Sequence, residues 1–92
     1  MIHSISCKET EALFHCKISR KFKSIERVAR RKLLQLHAAV NLLDLRIPPG
    51  NFLEALNGDR VGQHSIRING QWRVCFIWKA DGVCAVEIVD YH

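Results

Sequence analysis

The chain has 92 residues, enough for one modest core and a single domain over 1–92, and too few for a separate cofactor domain. Apolar residues make up 48% of it, which excludes a disordered tail, and 14 Lys and Arg stand against 9 Asp and Glu, a net charge of +5 that favours a polyanionic partner over a merely basic surface. There is no run of about 18 apolar residues and the Met-Ile-His-Ser start lacks a basic-then-apolar leader, so a cytoplasmic protein with no membrane partner is expected.

Residues 2–7 alternate apolar and polar, as a first strand does. A short helix is expected over 8–16, with Ala12, Leu13 and Cys16 on one face. The basic connector 19–23 leads to Ser24, which has the chemistry of an N-cap, and Glu26 suits the first turn of a helix. Ile25, Val28, Ala29, Leu33 and Leu36 then recur at helical spacing and predict a second helix to about Ala39. Residues 41–46 add a further turn, which Pro48-Pro49-Gly50 ends.

From Phe52 the composition turns strand-like. Strands are expected over 52–56, 63–68, 72–78 and 83–89, separated by Asn57-Gly58-Asp59, Asn69-Gly70 and Lys79-Ala80-Asp81-Gly82. Short turns make an antiparallel meander. The fold class is therefore α+β, with two helices packed on one face of a small antiparallel sheet.

The hairpin around Asn69-Gly70 decides which residues share a face. A two-residue turn pairs Ile68 with Gln71 and sets Arg73 beside Ile66. A three-residue loop, Asn69-Gly70-Gln71, pairs Ile68 with Trp72 and Ile66 with Val74. Burial selects the second, because a one-residue slip exchanges the faces, although Asn-Gly by itself favours the first. The second register puts Arg67 and Arg73 together on the face away from the helices.

Two clustered arginines suggest a phosphate site, since a guanidinium binds two phosphate oxygens and keeps its charge near neutral pH. Arg60, in the Gly58-Asp59-Arg60 turn, could add a third. The structural alternative is pairing with Glu54, Asp59, Glu87 or Asp90. The chain ends on Asp90-Tyr91-His92, three side chains able to orient, donate or exchange a proton. The stretch Arg20, Lys21, Lys23, Arg27, Arg30, Arg31 and Lys32 is dense enough to read as an RNA-backbone contact, the alternative being a solvated helix face. Cys7, Cys16, Cys75 and Cys84 match no zinc spacing, and His3, His15, His37 and His64 form no metal motif, so structural thiols, no metal and no cofactor are expected.

The run PPGNFLEALNGDRVGQHSIRINGQWRVCFIW and the terminal VEIVDYH, with the basic helix and LLDLRIPPG before them, resemble the HigB toxins of the RelE/ParE superfamily. The resemblance covers nearly the whole chain, and GDR, SIRIN, QWR and DYH together carry it. It implies a RelE-like fold, ribosome-dependent mRNA cleavage at the A site beside 16S rRNA, and neutralisation by a HigA-type helix-turn-helix antitoxin. Operator DNA would be met only through that antitoxin. By position, Arg73 of QWR and the tail Asp90, Tyr91 and His92 match family positions tied to cleavage, and Arg67 of SIRIN matches a further one. Some members carry a His and a Lys just before GDR, where Glu54 and Asn57 stand here.

The implied chemistry uses no metal. Arg73 and Arg67 would stabilise charge on phosphate, and His92 and Tyr91 would serve as acid and base, with Asp90 orienting them and Glu54 an alternative base. Arg60, Arg27, Arg30, Arg31 and Lys32 would hold the RNA backbone. A ParE-like toxin that inhibits DNA gyrase without nuclease activity, or a nucleic-acid-binding accessory protein without catalysis, are the rival readings.

Overall fold

Ala29, Leu33 and Leu36 fall on one stripe of a 3.6-residue period, and all three are buried. They lie on helix α2 (Glu26–Ala38), which packs with the shorter helix α1 (Lys8–Phe14) against one face of a four-stranded antiparallel sheet. The structure is a computed structural model and describes residues 1–90; Tyr91 and His92 lie outside the described residues. The strands are β1 (Glu54–Ala55), β2 (His64–Arg67), β3 (Trp72–Lys79) and β4 (Gly82–Asp90), in the order β1-β2-β3-β4. The α+β, RelE-like arrangement expected from the sequence is the one observed.

The core is built from alternation. Ile66, Val74, Phe76, Val86 and Ile88 point from the sheet toward Leu13, Phe22, Leu33, Leu36 and Leu45, and the Phe22 ring meets Trp72 edge-on at 5.2 Å. The hairpin takes the three-residue loop, with Ile66 opposite Val74 and Arg67 opposite Arg73. Asn69 explains why its preference for a two-residue turn is overridden. Its Oδ1 accepts from the Gln71 and Trp72 backbone N–H groups at 2.8 and 2.9 Å, so the side chain closes the loop locally.

Three local expectations are corrected. Residues 2–7 do not form a full strand: Ile2 and Ile5 make isolated parallel bridges to Val83 and Val86. A bulge in β4 intervenes, where the register with β3 shifts between Cys75 and Ile77 and Ala85 takes φ 53°. Ser24 does not cap α2, because the 3₁₀ turn Lys23–Ile25 runs directly into it. Ser19 organises the connector instead, accepting from Phe22 N–H at 3.3 Å and donating to Glu9 on α1. The first sheet strand is shorter than 52–56, because Phe52 is not extended.

Candidate functional site

Arg67 and Arg73 are Cα partners across β2 and β3, on the sheet face away from the helices. Like charges directly opposite repel, and here the two guanidiniums take different partners. Arg73 lies down against the sheet and is only 9% exposed. Its Nε donates to Ser65 Oγ at 2.8 Å, and its Nη2 donates to the Phe52 carbonyl at 2.6 Å and lies 3.6 Å from Glu54 Oε1. Arg67 instead lies over Phe52, its guanidinium carbon 5.4 Å from the ring centroid. The sequence expectation of two arginines on one face therefore holds for register, but Arg73 is covered rather than open to solvent.

The cover is the segment before β1. A 3₁₀ turn, Pro49–Asn51, ends on Phe52, whose backbone is left-handed at φ 45°, ψ 56°. That conformation is unusual for a bulky residue and needs support from its surroundings. Asn51 supplies it: fully buried, it donates through Nδ2 to Gln35 Oε1 and to the Leu45 carbonyl, both at 3.1 Å, while Lys32 donates to its Oδ1. Burial, with Arg31 adding repulsion, holds the Lys32 amine below its ordinary pKa. Phe52 thus projects outward, 56% exposed, with its carbonyl fixed on Arg73.

Phe52, Glu54, Arg67, Asn69, Gly70 and Arg73 enclose a cleft of about 410 Å³. It combines two permanent cations, a carboxylate whose side chain is 46% exposed, and an aromatic ring. Such a set can hold a phosphodiester, exchange a proton beside it and receive a planar group. Phe52 was missed by periodicity, which reads it as the start of a strand. The available signal was Pro-Pro-Gly immediately upstream, which favours a turn over an extended start.

Residues 11–92 match the family model described as the RelE-like toxin of the type II toxin–antitoxin system HigB. The chain belongs to the HigB-like toxins. It is 49% identical over 69 residues to Toxin HigB-1 of Vibrio cholerae serotype O1, covering 75% of this chain and 72% of that protein. It is also 41% identical over 56 residues to an uncharacterized protein of Haemophilus influenzae, covering 61% of this chain and 54% of that protein. As a type II toxin it has an antitoxin partner. No helix among the described residues is long and apolar enough to cross a membrane.

The remaining expected residues of the toxin divide sharply. Arg60 donates to Glu87 at 2.9 Å and to Gln63 at 3.1 Å, so the ion-pair alternative applies to it. Its hydrogen bond to Glu87 is the main cause holding its pKa above the ordinary value. Asp90 registers with Trp72, on the helix-facing side, and its Oδ2 accepts from Gln71 Nε2 at 3.1 Å. It is therefore not brought into the face that holds Arg73. Tyr91 and His92 lie outside the described residues. His64 also belongs to the helix-facing side, opposite Phe76 and stacked on its ring at 6.2 Å.

The basic helix separates in the same way. Arg30 donates to the Leu13 and Lys17 carbonyls and to Glu26, tying α2 to the end of α1. Lys32 serves Asn51. Arg27 and Arg31 are exposed, and their side chains make no hydrogen bond or ion pair among the described residues. Of the four helix residues expected to meet RNA, Arg30 and Lys32 thus make internal hydrogen bonds.

Proposed function

We propose that this toxin is a metal-independent endoribonuclease that cuts mRNA on the ribosome, working in the cytoplasm and neutralised by a HigA-type helix-turn-helix antitoxin. One observation carries the reading: the Phe52–Arg73 cleft gathers two guanidiniums and a carboxylate within a space the size of a nucleotide phosphate and its neighbours. The membership of the chain in the HigB-like toxins points the same way.

In the proposed reaction the RNA 2′-oxygen bonds to the adjacent phosphorus and the bond from phosphorus to the 5′-oxygen breaks. The products are a 2′,3′-cyclic phosphate and a 5′-hydroxyl. Glu54, a cleft carboxylate, would take the 2′ proton, and Tyr91 and His92 of the tail would supply the group that protonates the departing oxygen. Arg73 fixes positive charge at the cleft floor, and Arg67, held only by a ring contact among the described residues, is able to swing onto phosphate. Arg27 and Arg31 then provide the exposed charge for ribosomal RNA at the A site, where 16S rRNA lines the mRNA path. Operator DNA is reached through the antitoxin alone.

The test is primer extension on cellular transcripts after brief expression. Toxin-dependent breaks inside translated regions support the nuclease. Growth arrest with intact transcripts, relieved by a resistant gyrase, would replace it with the ParE-like reading.

A further inference from the structure

We propose that Phe52 is the stacking platform for one base of the RNA at this cleft, and that binding exchanges Arg67 for that base on the ring. The proposal rests on the nuclease reading for the identity of the ligand and on three structural features for the subsite. Phe52 is more than half exposed at the mouth of the cleft, where an apolar ring gains nothing from water. It is held there in a left-handed backbone conformation braced by Asn51, a strain that an ordinary surface residue has no reason to carry. Its ring is already occupied by a planar cation, Arg67, at 5.4 Å.

A guanidinium and a nucleobase compete for the same kind of surface. Both are flat, and both stack on an aromatic face. An exposed contact between Arg67 and Phe52 is weak, whereas a base stacked on an aromatic ring in a cationic groove is one of the main sources of affinity for single-stranded RNA. When the base takes the ring, Arg67 is released toward the phosphate beside it. Stacking is tolerant of base identity, so the platform contributes affinity and position rather than a strict sequence preference.

The clean variant is Phe52→Gly. Glycine adopts the left-handed backbone without strain, so the carbonyl can keep its bond to Arg73 while the ring is removed. Phe52→Leu keeps an apolar side chain but no aromatic face, and Phe52→Trp enlarges that face. The probe is a ribosome programmed with mRNA carrying 2-aminopurine at successive positions of the A-site codon and 2′-O-methyl groups that block cleavage. Wild type and Phe52→Trp should quench 2-aminopurine at one position; Phe52→Gly and Phe52→Leu should not.

With unblocked mRNA, the two ring-less variants should need roughly 5- to 150-fold more toxin for half-maximal cleavage. If Phe52→Gly does not fold, Phe52→Leu gives the same reading. Quenching by Phe52→Gly or Phe52→Leu equal to wild type, or no quenching by wild type at any position, would overturn the platform. The nuclease reading fails differently, by leaving unblocked mRNA intact whatever the fluorescence does.

Discussion

Arg67 and Arg73 face each other across β2 and β3, yet their guanidiniums meet different parts of Phe52, its ring and its carbonyl. Arg73 is pinned to Ser65 and to the Phe52 carbonyl, and it sits beside Glu54. Arg67 rests on the Phe52 ring, with no ion pair among the described residues. Arg73 is part of the wall of the cleft, and Arg67 is the arginine proposed to meet the ligand. This division governs what each substitution should do.

Arg73→Ala should affect stability as well as activity. It leaves the buried Ser65 hydroxyl and the Phe52 carbonyl without a donor, at a cost of about 1–3 kcal/mol. It also removes the cleft charge, which should slow cleavage by ~10²–10³. Ser65→Ala separates the two effects: it breaks one bond, costs about 1 kcal/mol and leaves the charge in place. Denaturant melts with single-turnover cleavage on programmed ribosomes give both numbers. An Arg73→Ala protein as stable and as fast as wild type would remove this residue from the account.

Much of this was legible in the sequence, and what was not has a local cause. The helical stripe on α2 and the Ile66–Val74 register follow from apolar periodicity, and both are observed. The pairing of Arg67 with Arg73 follows from the same register. The burial of Arg73 does not follow, because its cover comes from the turn at 49–52, set by Asn51 hydrogen bonds to Gln35 and Leu45. Those bonds join distant parts of the chain and leave no periodic trace. Arg30 and Lys32 look like surface charge in a sequence window for the same reason: their partners, Leu13, Lys17 and Asn51, lie elsewhere.

The basic helix should therefore split in two under mutation. Replacing Arg27 and Arg31 with Ala should leave the melting curve unchanged and flatten the salt dependence of ribosome binding, by about 0.7–0.9 in slope for each phosphate no longer neutralised. Arg30→Ala should destabilise the fold by roughly 1–2 kcal/mol, because it releases two backbone carbonyls at the end of α1. Affinity measured across a salt series, with a melt of each variant, checks both. A salt slope unchanged by the double substitution would assign Arg27 and Arg31 to the antitoxin or to solvent.

Cys75 offers a test by pH. Its thiol is fully buried on the sheet face, and burial, the largest influence, raises its pKa above the ordinary 9.0. The unfolded chain therefore loses this proton at lower pH than the folded one. Stability is intact below 9.0 and falls as pH rises from there toward the folded value. Cys75→Ala should flatten this alkaline decline relative to wild type. In the native protein at neutral pH a thiol reagent should modify exposed Cys16 rapidly and leave Cys75 unmodified until unfolding. Parallel alkaline declines in the two proteins, or early modification of Cys75, would contradict its placement.

In the proposed reaction the Phe52–Arg73 cleft cuts RNA and Glu54 takes the 2′ proton. Its most direct test is single-turnover cleavage of one mRNA, naked and on translating ribosomes, by wild type and Glu54→Gln. Glu54 is half exposed and its contact with Arg73 is long at 3.6 Å, so the substitution should lower the melt only slightly. Wild type should cut the ribosome-bound message and leave naked RNA nearly intact, with a cyclic phosphate at the new 3′ end. Glu54→Gln should bind as wild type does and cut about 10²–10⁴ times more slowly. Equal cleavage by the two proteins, or equal rates on naked and ribosome-bound RNA, would contradict the account.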